Sequence, residues 1–147
     1  MGSRWMRNAL SNREEVRKMI RGIDAILLSS QSAKNLAEFY RDKVGLMQTE
    51  EAEMGEGKSK TDLFSFEFKG TSSLYIMDHT KVKGKNKNPE RCLINFEVDD
   101  IKKEVARLKR AKVKVIQDTY HVEGYGWIAT FEDLDGNYFQ FVQVRPS

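Results

Sequence analysis

The sequence predicts an α+β protein built from two strand–helix–strand–strand–strand units. Three observations carry that prediction. Strand and helix signals run through the chain twice in the same order, with little identity between the two runs. A basic stretch containing Gly, Asn and Pro separates them. The second run closes on residues 124–144, which read as strand, tight turn, strand. In that closing stretch, residues 127–132 carry aromatic and β-branched side chains, and 138–144 resume the strand pattern. Between them DLDGN (133–137) is turn chemistry, with Gly136 and Asn137 able to take positive φ.

Taken in order, Ser11-Asn-Arg-Glu14 has capping-box spacing, and Val16, Met19 and Ile20 give the helix that follows an apolar stripe. Residues 23–29 are apolar and β-prone. Ser32 is a good N-cap for a helix over 33–43, whose buried face carries Leu36, Ala37, Tyr40 and Val44 and which ends at Gly45. Residues 47–53 form a polar strand, and 54–60, with Gly55 and Gly57, a loop too short to cradle a phosphate. Residues 61–69 alternate, with Phe64, Phe66 and Phe68 on one face, and 73–78 return. In the second run, 92–98 is a strand. Asp99 or Asp100 caps a helix to about Arg110 with Ile101, Val105 and Leu108 inside. Residues 113–117 are a strand and 118–125 a loop. The organisation is therefore an N-terminal helical extension (1–21), a first unit (22–80), a basic linker (81–91) and a second unit (92–147), the two units sharing one cavity.

Length and composition fit a soluble protein of one domain or two small fused modules. The chain has 147 residues, enough to bury a sizeable core, with ordinary hydrophobic (39%) and charged (32%) content. No apolar run reaches membrane-spanning length, and Arg, Glu and Lys interrupt everything before Gly22, so neither a membrane span nor a signal peptide is expected. One cysteine, Cys92, makes no internal disulfide. The reading is cytoplasmic, with Cys92 a buried small apolar residue rather than a nucleophile. The net charge of +3 is mild and concentrates in Lys81, Lys83, Lys85, Lys87 and Arg91. No aromatic is interleaved with those lysines to stack bases, so the stretch reads as a solvated linker, not a nucleic-acid contact.

Three segments together carry a family resemblance: IDAILLSSQSAKNLAEFYRDKVGL (23–46), INFEVDDIKKEVARLKRAKV (94–113) and FEDLDGNYFQFVQ (131–143). They resemble the vicinal oxygen chelate superfamily, which includes glyoxalase I, bleomycin-resistance proteins and extradiol dioxygenases. The resemblance spans about residues 23–144. It implies paired βαβββ modules forming an incompletely closed, cup-shaped mixed sheet, and a homodimer. It also implies a divalent metal on the concave face, held by His, Glu or Gln. Here the corresponding positions fall at Ala25, Leu93 and Gln140, with the first module's Glu near Leu74 and Tyr75. Ala and Leu offer no lone pair, and one amide cannot hold a metal against water. No cofactor is therefore expected.

Alternation then names the concave face: Ala25, Leu27 and Ser29; Leu93, Asn95 and Glu97; Tyr138, Gln140 and Val142. Ile26, Leu28, Ile94, Phe96 and Val98 take the opposite parity and pack under the helices. Trp127 and a phenylalanine row are candidates to complete the cup wall. Such a wall suits a small organic molecule held by shape and a few hydrogen bonds. Asn95 and Gln140 equally satisfy each other or a buried water in a purely structural role, and Glu97 equally sits solvated at the rim. Glu97 and His121, the latter in the loop before Trp127, are the candidate proton-transfer groups.

Three functions follow. The first is a metal-independent binder of a neutral or anionic small molecule, because a basic protein suits a cationic drug poorly. The second is a lyase, isomerase or dioxygenase with a relocated metal site drawing on Asp24, Glu67, Glu97, His79 or His121; a metal assay separates it from the first. The third is a non-catalytic interaction module acting through the N-terminal helix and the linker, tested by deleting residues before Gly22.

Overall fold

The computed structural model describes residues 19–55, 57 and 61–146. The expected N-terminal helix over 12–21 lies almost wholly outside the described residues. The fold is α+β, with two open four-stranded mixed sheets. The first holds β1 (Ala25–Ser30), β2 (Gln48–Met54), β3 (Thr61–Phe66) and β4 (Ser73–Asp78) in the order β1-β4-β3-β2. The second holds β5 (Ile94–Glu97), β6 (Lys114–Val122), β7 (Gly126–Glu132) and β8 (Tyr138–Gln143) in the order β5-β8-β7-β6. Each sheet has one parallel pair, β1–β4 or β5–β8, and β1 and β5 are edge strands.

The helix α1 (Ala33–Glu38) begins as expected but is not capped by Ser32, whose side chain makes no cap bond. Instead Asp78, at the end of β4, accepts from the Ala33 N–H at 2.8 Å. The neighbouring strand thus supplies the acceptor that the helix start requires. The α-helix also ends sooner than the stripe suggests. Phe39–Val44 winds as a π-helix that stops at Gly45, in the left-handed region at φ 95°. The π turn buries both Phe39 and Tyr40. The helix α2 (Ile101–Arg110) follows the sequence closely: Asp100 caps it, accepting from Lys103 N–H, and Ile101, Val105 and Leu108 are buried.

Three further expectations are corrected. β6 runs on to Val122 through two register shifts, so the loop expected over 118–125 shrinks to a turn. β5 is shorter than expected, at four residues. Cys92 is exposed before it, not buried, because the chain there is a 3-10 turn (Pro89–Arg91) on the surface.

One hydrophobic core serves both modules. Ile26, Leu28, Ile94 and Val98 pack against it and Phe96 lies within it, as their parity predicts. Phe39 and Tyr40 of the first module reach Phe139 of the second, at ring distances of 6.3 and 5.5 Å. Phe68 meets Phe96 at 5.8 Å. Side chains of opposite parity point away from this shared core.

Candidate functional site

The site is positioned by an interlock between the modules, and the DLDGN turn is its centre. The Asp133 carboxylate is buried and takes four hydrogen bonds: from the N–H groups of Asp135 and Asn137, from Asn137 Nδ2, and from the Tyr40 hydroxyl at 2.6 Å. Two positions on, Asp135 accepts from the Ser30 hydroxyl at 2.6 Å, at the end of β1. Arg107 of α2 donates to the carbonyls of Lys43 (3.1 Å) and Val44 (2.7 Å), satisfying the end of the first module's helix. Burial pushes the Asp133 carboxyl up from its ordinary range, while its hydrogen bonds from Tyr40 and Asn137 act against the shift. Burial, and then the charge of Asp133, hold the Tyr40 phenol well above its usual range. The Tyr40 hydroxyl, donating to Asp133, ties the first module's helix to the second module's turn.

Strand register assigns the open faces. In the first sheet Leu27 lies beside Tyr75, and Tyr75 beside Ser65; Ala25 lies beside Ser73, and Ser29 beside Met77. In the second sheet Asn95, Gln140 and Thr130 form one row, and Glu97, Val142 and Ile128 the next. Tyr138 sits beside Glu132. Ala25, Leu27, Asn95, Glu97, Tyr138 and Gln140 therefore all lie on open faces, with Leu93 just before β5. Leu27 is 53% exposed, which is unusual for a leucine in mid-strand, and Asn95 and Glu97 are also exposed. Tyr75, Met77, Ser65, Thr130 and Tyr120 share these faces, Ser65 and Thr130 buried there, and were not singled out from sequence. They sit on strands whose register is set only by pairing. A cleft of about 520 Å³ lies between the β3–β4 connection and β5, lined by Ile26, Phe68, Ile94 and Phe96 of the core-facing parity together with Asn95, Glu97 and Arg145.

Several predicted roles are corrected. Trp127 pairs with Gln143 and so shares the face of Phe139 and Phe141, opposite to Gln140. His121 is not in a loop over the cup. It lies in β6 opposite Trp127, and the two rings stand 4.7 Å apart. Phe64 and Phe66 are core residues, and the face they would have completed carries Leu63 and Ser65. Glu97 forms an ion pair with Arg145 at 2.8 Å. Gln140 donates to the Thr130 hydroxyl at 2.8 Å and not to Asn95.

The residues at the metal positions implied by the resemblance do not fit a divalent ion. Ala25 and Leu93 have no donor atom, and Tyr75, not Leu74, faces outward on β4. Gln140 contributes one neutral oxygen. Among the described residues no group of three or more His, Cys, Asp or Glu side chains is placed to hold a metal ion. Asp24, Glu67, Glu97, His79 and His121 thus do not assemble a relocated centre there.

Comparison with known proteins agrees with this fold. No protein with a curated description matches the chain in sequence. An antibiotic binding protein from Streptomyces sp. CB03234 is 20% identical, with a TM-score of 0.65 over 84% of this chain and 96% of the other. The fosfomycin resistance protein FosX from Listeria monocytogenes is 20% identical, with a TM-score of 0.64 over 84% and 94%. The trypanothione-dependent glyoxalase I of Leishmania major is 17% identical, with a TM-score of 0.65 over 84% and 86%. At these identities the likeness is one of fold. The family model for the Glyoxalase/Bleomycin resistance protein/Dioxygenase superfamily matches residues 22–141, and the chain belongs to that superfamily.

Proposed function

We propose that this chain is a cytoplasmic small-molecule binding protein that holds a neutral or anionic organic ligand on its open sheet faces, as a homodimer and without the family's divalent metal. The observation that carries this reading is the residue set at the implied metal positions. Ala25, Leu93 and Gln140 replace metal donors with apolar surface and one amide, on faces where Leu27, Asn95 and Glu97 are exposed. Apolar area with a few placed polar groups is the ordinary composition of an organic-ligand site. One similar structure is an antibiotic binding protein, so this fold does hold small organic molecules. The dimer is supported by β1 and β5, two of the four edge strands of the described sheets, each with one unpaired side, and by the exposure of Leu27 on β1. No helix among the described residues is long and apolar enough to cross a membrane.

The test is thermal shift and calorimetry on EDTA-treated protein against a panel of compact aromatic and alkyl compounds, with light scattering for the dimer. A ligand at a hundred times its Kd stabilises by about 2.7 kcal/mol, several degrees in Tm. Ala25→Trp, which fills the face, should abolish that shift without lowering the Tm of the free protein by more than a few degrees. Binding or turnover that appears only after Zn, Ni, Mn or Fe(II) is added would overturn the reading.

A further inference from the structure

We propose that the lysine strap joining the two modules binds an anionic group of the ligand. The ligand class is then an organic anion: a carboxylate, phosphonate or phosphate on a compact apolar body. This rests on the ligand-binding reading of the open faces and names what that ligand carries.

The strap is solvated, as its sequence suggests, but its backbone is pinned at both modules. Lys81 N–H donates to His79 Nδ1 (3.1 Å) and Val82 N–H to the His79 carbonyl (3.0 Å). Gly84 N–H donates to Gln31 Oε1 at 2.8 Å, on the first module. Asn86 N–H donates to the Asp135 carbonyl (2.8 Å) and Asn86 Nδ2 to Asn137 Oδ1 (3.0 Å), on the second. A backbone held this way presents its side chains from fixed positions, so less freedom is lost when a ligand is clasped.

Lys81, Lys83 and Lys85 line a cleft of about 300 Å³ together with Ser29, Asn86 and Asp135. Ser29 shares the open face of β1 with Ala25 and Leu27, so the cleft opens at the end of the apolar wall. Among the described residues no carboxylate forms an ion pair with any of the three lysines. Asp135 is the one acid in the lining, and one of its oxygens already takes the Ser30 hydroxyl. Three ammonium groups against one engaged carboxylate leave the cleft positive, and a concave positive site concentrates anions. Its volume sits at the lower end for ligand pockets, enough for one charged group and a few carbons. With no aromatic in the lining to stack a base, a nucleic-acid strand is disfavoured.

The experiment compares phenylphosphonate with its neutral dimethyl ester by calorimetry on the full chain, at 50 and 300 mM NaCl, with inorganic phosphate as a separate arm. The expected result is at least tenfold tighter binding of the phosphonate at low salt, weakened at high salt. In the exposed triple variant Lys81→Gln/Lys83→Gln/Lys85→Gln that preference should fall to about onefold, with ester binding unchanged. The corresponding triple arginine variant should keep it. Equal binding of acid and ester to the wild type, or an undiminished preference in the glutamine variant, overturns the anion site and leaves the ligand-binding reading standing. Inorganic phosphate binding as tightly as phenylphosphonate overturns the organic-anion assignment. Failure of both aryl compounds, with failure of the whole neutral panel, overturns the two readings together.

Discussion

Replacing Tyr40 by Phe removes a single hydroxyl from the module interlock. The ring keeps its place against Phe139 (5.5 Å) and Phe96 (6.3 Å), so no cavity opens and no packing contribution enters. What is lost is a 2.6 Å hydrogen bond to a buried carboxylate. Bonds to charged groups contribute about 1.5–3 kcal/mol. Asp133 Oδ2 retains Asn137 Nδ2 at 3.0 Å and is not orphaned, which places the cost near about 2 kcal/mol. In a chain of this size that is a fall of about 4–8 °C in Tm. Urea denaturation should show a lower midpoint with an unchanged m-value, since the surface exposed on unfolding is the same. A cycle with Asp133→Asn should show coupling of at least about 1 kcal/mol.

The pH dependence gives a second readout of the same bond. In the folded state the phenol pKa is raised above its ordinary value of 10.0, while the unfolded phenol titrates normally. Stability from Tyr40 is therefore complete below pH 10 and is lost as pH rises from there toward the folded pKa. The loss is about 1.4 kcal/mol per pH unit for one proton. Tyr40→Phe should remove that one-proton slope. A cost below about 0.5 kcal/mol, additivity with Asp133→Asn, or an unchanged alkaline slope would refute the interlock argument.

Two further pairs of substitutions test the local geometry. Asp78→Ala should cost about 1 kcal/mol, because Asp78 caps α1 from another strand, whereas Ser32→Ala should cost less than about 0.5 kcal/mol; urea midpoints in the reverse order would overturn the assignment. Gly126→Ala places a Cβ 2.2 Å from the Gln143 carbonyl oxygen at φ +147°, so a loss of about 3 kcal/mol or more is expected. Gly124→Ala, at φ +79° with open space around it, should lose only about 1–2 kcal/mol. Equal costs for the two glycines would show that the close approach of β7 to β8 is not rigid.

The sequence by itself determined the element order and the face of each first strand, and narrowed the α2 cap to Asp99 or Asp100. Each of these is recorded locally. Period-two alternation separates Ile26 and Leu28 from Ala25 and Leu27, and Asp100 sits three residues from the N–H it accepts. The DLDGN turn was legible for the same reason, since Asp133 closes on Asp135 and Asn137. Only the tertiary structure decided what the turn is for. Tyr40 and Asp133 lie 93 positions apart, and Ser30 and Asp135 lie 105 apart. Asp78 displaced Ser32 as the cap from 45 residues away. The shared face of Ala25, Leu27, Asn95, Glu97 and Gln140 was legible because alternation is unbroken there. It was not legible at Trp127 and His121, whose faces depend on the β7–β8 register and on two irregularities in β6. Side-chain periodicity reports which residues share a face within one strand. Which faces meet, and which partner satisfies a buried carboxylate, is fixed only when distant segments are brought together.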